Sequence, residues 1–149
     1  MAIKQLEQSN LSSTDSHPDI ERVYQQWDDA LGKKDVEAAL ALYAPDATLE
    51  SPLVSHLLRV DKGVRQGRDE LRDFLSIVFQ NTPPSRKRFR KGYSTDGHRV
   101  MWEYPRESPD GEQMDFVEVM EIEKGLIRKH RVYWGWFGVN VLKMNQYHQ

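Results

Sequence analysis

The order of two sequence patterns constrains the fold of this chain more than any other feature. Apolar residues recur at helical spacing in the first half, whereas the part from Pro84 onward consists of runs bounded by turn residues. The turn clusters lie at residues 95–97, 108–111 and 124–125, so loops of hairpin length join successive runs. Strands joined in this way pair antiparallel. Helices followed by strands predict an α+β domain with a mostly antiparallel sheet.

Three amphipathic helices are predicted near residues 19–31, 35–43 and 67–79. Asp35 is expected to cap the second helix, and Gly67 is expected to open the third. Tyr43 falls on the apolar face of the second helix, which Pro45 should end.

The remaining chain divides into strands and one long loop. Residues 47–51 form a predicted short strand, and a loop of about fifteen residues follows it. The predicted strands of the second half cover residues 86–93, 98–106, 112–123 and 126–137.

Length and composition limit the class of protein. The 149 residues fit one domain, and four Trp, six Tyr and five Phe exclude a wholly disordered chain. A formal net charge of −2 argues against a general attraction to nucleic acid or anionic membrane. The absence of cysteine excludes disulfides and thiolate chemistry. No apolar stretch suits a signal peptide or a membrane span, so we expect a cytoplasmic protein. The expected organisation is a flexible arm over residues 1–18, a domain over 19–142 and a tail over 143–149.

Glu118 is the most informative polar position. Side chains alternate along a strand, so Glu118 shares its face with Phe116, Met120 and Ile122. A carboxylate on an apolar face is costly unless it is paired, hydrogen-bonded or protonated. One interpretation is a structural Glu satisfied by a buried Tyr, Arg or His. The other is an acid in a pocket that donates a proton or a hydrogen bond.

His130 is the predicted partner of Glu118. It shares a face of the last predicted strand with Val132, Trp134 and Trp136, and a tight turn places it near Glu118. A Glu–His pair among aromatic residues can shuttle a proton. The alternatives are a His that only satisfies the Glu, or a register slipped by one residue.

Other polar and aromatic residues are weaker candidates for a functional role. His56 and Arg59 lie in the predicted long loop, where polar side chains can reach a ligand but are more often solvated. Trp102 and Tyr104 alternate along one strand, a spacing more typical of core than of cofactor contacts. The basic run over residues 86–91 indicates a solvated edge or a subunit contact rather than a nucleic-acid site.

Motifs for nucleotide, metal and serine-hydrolase chemistry are missing from the sequence. There is no glycine-rich phosphate loop, no GxSxG elbow and no His-x-x-x-His spacing. We therefore expect no cofactor and no metal.

Three segments form recognisable motifs, namely DVEAALALYAPDATLESP over residues 35–52, GRDELRDF over 67–74 and FVEVMEIEKGLIRKHRVYW over 116–134. Together they resemble the nuclear transport factor 2-like superfamily, including its SnoaL-like branch. The resemblance implies three helices packed on a strongly curved sheet that forms a cone with an internal pocket. Members of this superfamily include isomerases, cyclases, dehydratases, epoxide hydrolases and non-catalytic binding modules, and dimers through the sheet are frequent.

The steroid isomerases of this superfamily offer the sharpest comparison of site residues. Their general base, an aspartate before the proline that closes the first strand, corresponds to Ser51. Their oxyanion-binding tyrosine corresponds to Trp27, their protonated aspartate to Glu118 and their pocket tryptophan to Trp134. Because an unassisted Ser cannot take a proton from carbon near neutral pH, the resemblance argues against ketosteroid isomerisation.

The leading hypothesis is a cofactor-free isomerase, cyclase or dehydratase that acts on a small apolar or cyclic molecule. Glu118 would be the acid, and His130 would be its partner or the base. The alternative is a non-catalytic module of the same fold that binds a ligand or another protein, and in either case we expect a homodimer. The expected pocket-lining residues are Tyr24, Trp27, Ser51, His56, Trp102, Tyr104, Phe116 and Trp134.

Overall fold

The computed structural model describes residues 17–81, 92–108 and 110–145. Within these ranges the chain forms five helices and six strands. The helices are α1 (Pro18–Lys33), α2 (Val36–Leu40), α3 (Pro52–Leu58), α4 (Arg68–Gln80) and α5 (Trp136–Lys143). The strands are β1 (Tyr43–Glu50), β2 (Val64–Gln66), β3 (Ser94–Thr95), β4 (Arg99–Glu107), β5 (Gln113–Glu123) and β6 (Leu126–Trp134).

The strands form one curved, open sheet in the order β2-β1-β6-β5-β4-β3. Every neighbouring pair is antiparallel except β1 and β6, which run parallel. The predicted α+β class and mostly antiparallel sheet are confirmed. The parallel pair matters for function because it brings the first strand of the chain beside the last.

The core lies between the helices and the inner face of the sheet. Helix α1 buries Val23 and Trp27 at helical spacing, and α4 buries Leu71 and Phe74 in the same way. Alternate residues of β5 complete this core from the sheet, and the buried positions are Met114, Phe116, Glu118, Met120 and Ile122. A carboxylate therefore occupies the middle of an otherwise apolar row.

The three predicted helices are present, and the predicted start signals act as expected. The Asp35 carboxylate accepts a hydrogen bond from the Ala38 amide at 3.0 Å and caps α2. Gly67 precedes α4 with a φ of 82°, a conformation that favours glycine.

The prediction that Tyr43 belongs to a helix is wrong. Helix α2 ends at Leu40, and Tyr43 is the first residue of β1. Pro45 lies inside that strand, where the register with β6 shifts between Tyr43 and Thr48. A proline cannot donate to a ladder, and such an irregularity is one of the places where a strand tolerates it.

The long loop predicted after Ser51 contains two elements. Ser51 accepts a hydrogen bond from the Leu53 amide at 3.2 Å and caps α3, which has Pro52 in its first turn. Strand β2 then pairs antiparallel with β1. A helical period is clear only over a window of about 11–18 residues, and the 7 residues of α3 are too few to show it.

The last predicted strand is too long. Strand β6 ends at Trp134, and α5 begins after Gly135, so Trp136 leaves the sheet and is 71% exposed. Helix α5 continues to Lys143, one residue into the segment predicted as a tail.

The first strand predicted in the second half falls mostly outside the described residues, which resume at Gly92. The same applies to most of the predicted arm and to the basic run over 86–91. Gly92 and Tyr93 are not in a strand, and the two-residue β3 follows them. None of the helices in the described ranges has the length and apolar composition needed to cross a membrane.

Candidate functional site

Glu118 and His130 meet on the inner face of the sheet. In the β5–β6 ladder Glu118 pairs with Val132 and Met120 pairs with His130, so the two polar residues are diagonal neighbours. Nε2 of His130 lies 2.6 Å from Oε1 of Glu118, and the two residues are 1% and 5% exposed. The buried hydrogen bond expected of Glu118, with His130, Tyr24 or an ordered water as its partner, is therefore made to His130.

Tyr43 extends this pair into a chain of three. Its hydroxyl lies 2.7 Å from Nδ1 of His130, and its side chain is fully buried. The parallel pairing of β1 with β6 brings Tyr43 close to His130, because it places Tyr43 beside Ile127 at the start of β6. Burial, and then the charge of Glu118, raise the pKa of the Tyr43 phenol well above its ordinary value. Tyr43 therefore retains its proton.

The positions of the protons on Tyr43, His130 and Glu118 follow from which of these groups can donate and which can accept a hydrogen bond. Among the described residues the Tyr43 hydroxyl has one partner, Nδ1 of His130, so donating to that nitrogen satisfies the buried phenol. A neutral imidazole that accepts at Nδ1 carries its proton at Nε2. Nε2 then donates to Oε1 of Glu118, which accepts as a carboxylate. The reverse direction would leave the phenolic proton buried without an acceptor.

Trp27 covers this chain from helix α1. Its ring stands edge-on to the His130 ring at 5.2 Å between centroids and to the Tyr43 ring at 6.0 Å. The Trp27 indole nitrogen, Nε1, is buried and has no hydrogen-bond partner within the described parts of the chain. It is thus a donor that an oxygen of a bound molecule can satisfy.

A cavity opens beside Glu118 and His130. Its empty volume is about 530 Å³ with the solvent at its mouth included, and the enclosed cavity volume is about 70 Å³. Such a cavity holds several waters, and it is narrow for a drug-sized ligand. The lining residues are Trp27, Leu31, Leu49, Ser51, Leu53, Phe74, Leu75, Val78, Phe79, Tyr104, Arg106, Phe116, Glu118, His130, Val132 and Trp134.

Of the expected pocket residues, five line this cavity: Trp27, Ser51, Tyr104, Phe116 and Trp134. Tyr24 and Trp102 instead pack against each other at 5.4 Å between ring centroids, and Tyr24 donates a hydrogen bond to the Gly92 carbonyl at 3.4 Å. His56 lies on α3 and does not line the cavity, and Arg59 is exposed.

Two residues of the site escaped sequence analysis. Tyr43 was assigned to a helix, and the sequence contains no signal that places it beside His130. Arg106 could have been found, because it continues the period-two alternation of Trp102 and Tyr104 along β4 onto the inner face.

Metal ligation is not suggested by the described residues. They contain no group of three or more His, Cys, Asp or Glu side chains arranged to hold a metal ion.

The fold and the site together define an α+β domain in which a curved sheet and its covering helices enclose a buried Tyr–His–Glu chain. Residues 24–130 match the family model of the SnoaL-like domain, so the chain belongs to this family. A search of curated proteins finds no significant sequence match.

Solved structures support the same fold. A SnoaL-like protein of unknown function from Burkholderia thailandensis has a TM-score of 0.65 at 17% identity, over 78% of this chain and 94% of its own. The epoxide hydrolase/cyclase-like enzyme SalBIII, described in pyran ring formation in the polyether salinomycin, has a TM-score of 0.59 at 21% identity, over 79% and 92%. A de novo designed protein with a curved β-sheet reaches 0.62 at 18% identity, over 85% and 93%. At these identities the likeness concerns the fold, which does not by itself define an activity.

Proposed function

We propose that this chain is an acid–base enzyme of the SnoaL-like family that moves a proton on a small, largely apolar molecule and needs no cofactor. The observation that carries the proposal is the buried Tyr43–His130–Glu118 chain, whose carboxylate end lines a cavity. A purely structural Glu–His pair would have no need of such a cavity. The fold is similar to that of a cyclase-like enzyme, so this architecture can carry an enzymatic site.

Glu118 has the role of proton acceptor and donor in this mechanism. Nε2 of His130 donates to one carboxylate oxygen and fixes the orientation of Glu118. The carboxylate takes a proton from carbon or hydroxyl of the substrate and then returns it to another atom of the same molecule. Neither His130 nor Tyr43 changes its charge in these steps, so both act as positioning residues.

Trp27 is the proposed donor to the oxygen on which negative charge develops. Its indole N–H is buried and unsatisfied within the described ranges, and the residue lines the same cavity as Glu118. A donor already in place stabilises the developing charge without further reorganisation. Ser51 does not serve as the base in this proposal, because its hydroxyl oxygen accepts a hydrogen bond from the Leu53 amide at the cap of α3.

The second candidate function is non-catalytic binding in the same cavity. The completeness of the Tyr43–His130–Glu118 chain favours it, since each of these buried polar groups already has a partner within the fold. In that case the Glu118 carboxylate fixes the orientation of a ligand and transfers no proton.

Exchange of carbon-bound hydrogen for deuterium separates the two candidates without knowledge of the product. A set of cyclic ketones is incubated with the protein in deuterated water, and exchange beside the carbonyl is followed by NMR. Glu118→Gln keeps the shape of the side chain and should retain ligand affinity while exchange falls by about 10²–10⁴-fold, the usual contribution of general acid–base catalysis.

Glu123→Gln is the matched control, because Glu123 lies on the same strand and is exposed. It should leave exchange unchanged. Binding without protein-dependent exchange would favour the non-catalytic module. Protein-dependent exchange that persists in Glu118→Gln would contradict the role of Glu118 as the acid–base residue.

A further inference from the structure

Arg106 is the one cationic side chain among the described residues that line the cavity. It lies near the end of β4, opposite Met114 of β5, and is partly buried. Alternation along β4 places it on the inner face with Trp102 and Tyr104. A guanidinium at this position is unexpected, because its neighbours in the cavity wall are mainly aromatic and aliphatic.

The charge of Arg106 is not balanced from within the described chain. Other arginines of the structure have carboxylate partners, such as Arg99 with Asp96 at 3.0 Å and Arg72 with Glu37 at 2.8 Å. Arg106 has no ion pair or hydrogen bond with any residue in the described ranges. Withdrawing a cation from water without a partner is costly, so an anion supplied by a ligand would recover this energy.

Arg106 and Glu118 lie at separate positions along the cavity. Glu118 pairs with Trp102 across the β4–β5 ladder, and Arg106 is four residues beyond Trp102, about 13 Å along an extended strand. The two side chains therefore enter the cavity from points about 13 Å apart along the sheet. They can hold the two ends of one elongated molecule.

The wall between these two positions is aromatic. Tyr104 and Phe116 stack at 5.4 Å between ring centroids, and Phe116 meets Trp134 edge-to-face at 4.7 Å. This surface suits an apolar or aromatic body and offers few polar groups.

We infer that the cavity takes a carboxylic acid with an apolar body, whose carboxylate is held by Arg106 while the opposite end reaches Glu118. A carboxylate fits a single guanidinium because the two groups form paired hydrogen bonds. A phosphate would carry more charge than one cation balances. The inference rests on the proposed function only for the statement that the reacting end of the molecule lies at Glu118.

Matched pairs of acids and neutral amides test this assignment. The probes are phenylacetate, phenylpropionate and phenylbutyrate, each compared with its amide by calorimetry on the full chain. The native protein should bind at least one acid about tenfold or more tightly than its amide, since hydrogen bonds to charged groups contribute this much. The affinity of both acid and amide should grow with chain length as the probe spans more of the aromatic wall, whereas the preference for the acid should persist across the series.

Variants test whether Arg106 is the source of the preference for acid over amide. Arg106→Gln should remove it, Arg106→Lys should keep part of it, and Arg99→Gln, an exposed arginine on the same strand, should leave it unchanged. Equal affinity for acid and amide, failure of all probes to bind at millimolar concentration, or a preference that survives Arg106→Gln would overturn the inference.

Glu118→Gln separates this inference from the proposed function. The variant should retain the preference for acids, because Arg106 provides it. A preference that depends on Arg106, found without any exchange that depends on Glu118, supports the ligand class and contradicts the enzyme. Exchange that depends on Glu118 without a preference for acids supports the enzyme and overturns the ligand class.

Discussion

The hydroxyl of Tyr43 lies 2.7 Å from Nδ1 of His130, although 87 residues separate them in the chain. The opposite ring nitrogen of His130 contacts Glu118 at 2.6 Å. The imidazole is therefore held at both ends, and its tautomer follows from the phenol at one end and the carboxylate at the other. This arrangement fixes the Glu118 carboxylate at the edge of the cavity.

Tyr43→Phe should weaken the hydrogen-bonded arrangement of Tyr43, His130 and Glu118 without unfolding the protein. The substitution keeps the ring that packs against Trp27 and removes the donor to His130. Leaving the buried imidazole nitrogen without a partner should lower the free energy of unfolding by about 1–3 kcal/mol. If Glu118 acts as proposed, turnover should also fall, because the imidazole is free to change tautomer.

The matched control for this variant is Tyr133→Phe, since Tyr133 lies on the outer face of β6 and is 52% exposed. It should leave both stability and activity unchanged. Chemical denaturation of the three proteins measures the effect. Equal stability of Tyr43→Phe and the native protein would mean that the Tyr43–His130 hydrogen bond contributes nothing.

Alkaline pH should destabilise the protein through its tyrosines. Burial raises the pKa of Tyr43 well above its ordinary value, and the hydrogen bond to Glu21 raises the pKa of Tyr93 to about 12. In the unfolded chain these groups ionise near their ordinary pKa of ~10. Stability is therefore fully present below about pH 10, and it falls as the pH rises through the folded-state values because the unfolded chain releases protons first.

Denaturation measured between about pH 8 and pH 11 tests the assignment. The slope from Tyr43 alone approaches ~1.4 kcal/mol per pH unit, and Tyr43→Phe should remove this part of the decline. A pH dependence that is identical in the variant would contradict the raised pKa of Tyr43.

Strands β4, β5 and most of β6 were predictable from sequence because their signals are local. Turn residues mark both ends of β5, and alternation alone places Glu118 on the apolar face. The hydrogen bond to His130 followed from the same reasoning, since a tight turn fixes the register of the β5–β6 hairpin.

The rest of the site depends on contacts that no local pattern reports. The parallel pairing of β1 with β6 joins segments more than 80 residues apart, and it decides where Tyr43 lies. Tyr43 precedes Pro45, which favoured a helix end over a strand, and only the irregular register of β1 accommodates that proline. Gly135 similarly ends β6 where continued alternation suggested a longer strand.

His130→Leu should be far more destabilising than Glu118→Gln. Removing the imidazole takes the His130 donor away from the buried Glu118 carboxylate, and breaking such a pair costs about 3–5 kcal/mol. Adding Glu118→Met to His130→Leu should recover part of the loss, because two apolar side chains need no hydrogen bonds. A double-mutant cycle measures the coupling, and additive losses would contradict a direct interaction.

The outer face of the sheet is the proposed interface of a homodimer. Met101 and Tyr133 are 45% and 52% exposed on this face, and Val117 lies between their strands on β5. Large apolar side chains on an exposed face are often covered by a symmetric partner, which requires about 800 Å² of surface from each subunit.

We expect light scattering to give the mass of a dimer at tens of micromolar, and Met101→Glu with Tyr133→Glu to give a monomer. Trp136→Glu is the control, because Trp136 is 71% exposed on α5, outside the sheet. A native protein that is monomeric under these conditions, or a double variant that remains dimeric, would exclude this face as the interface.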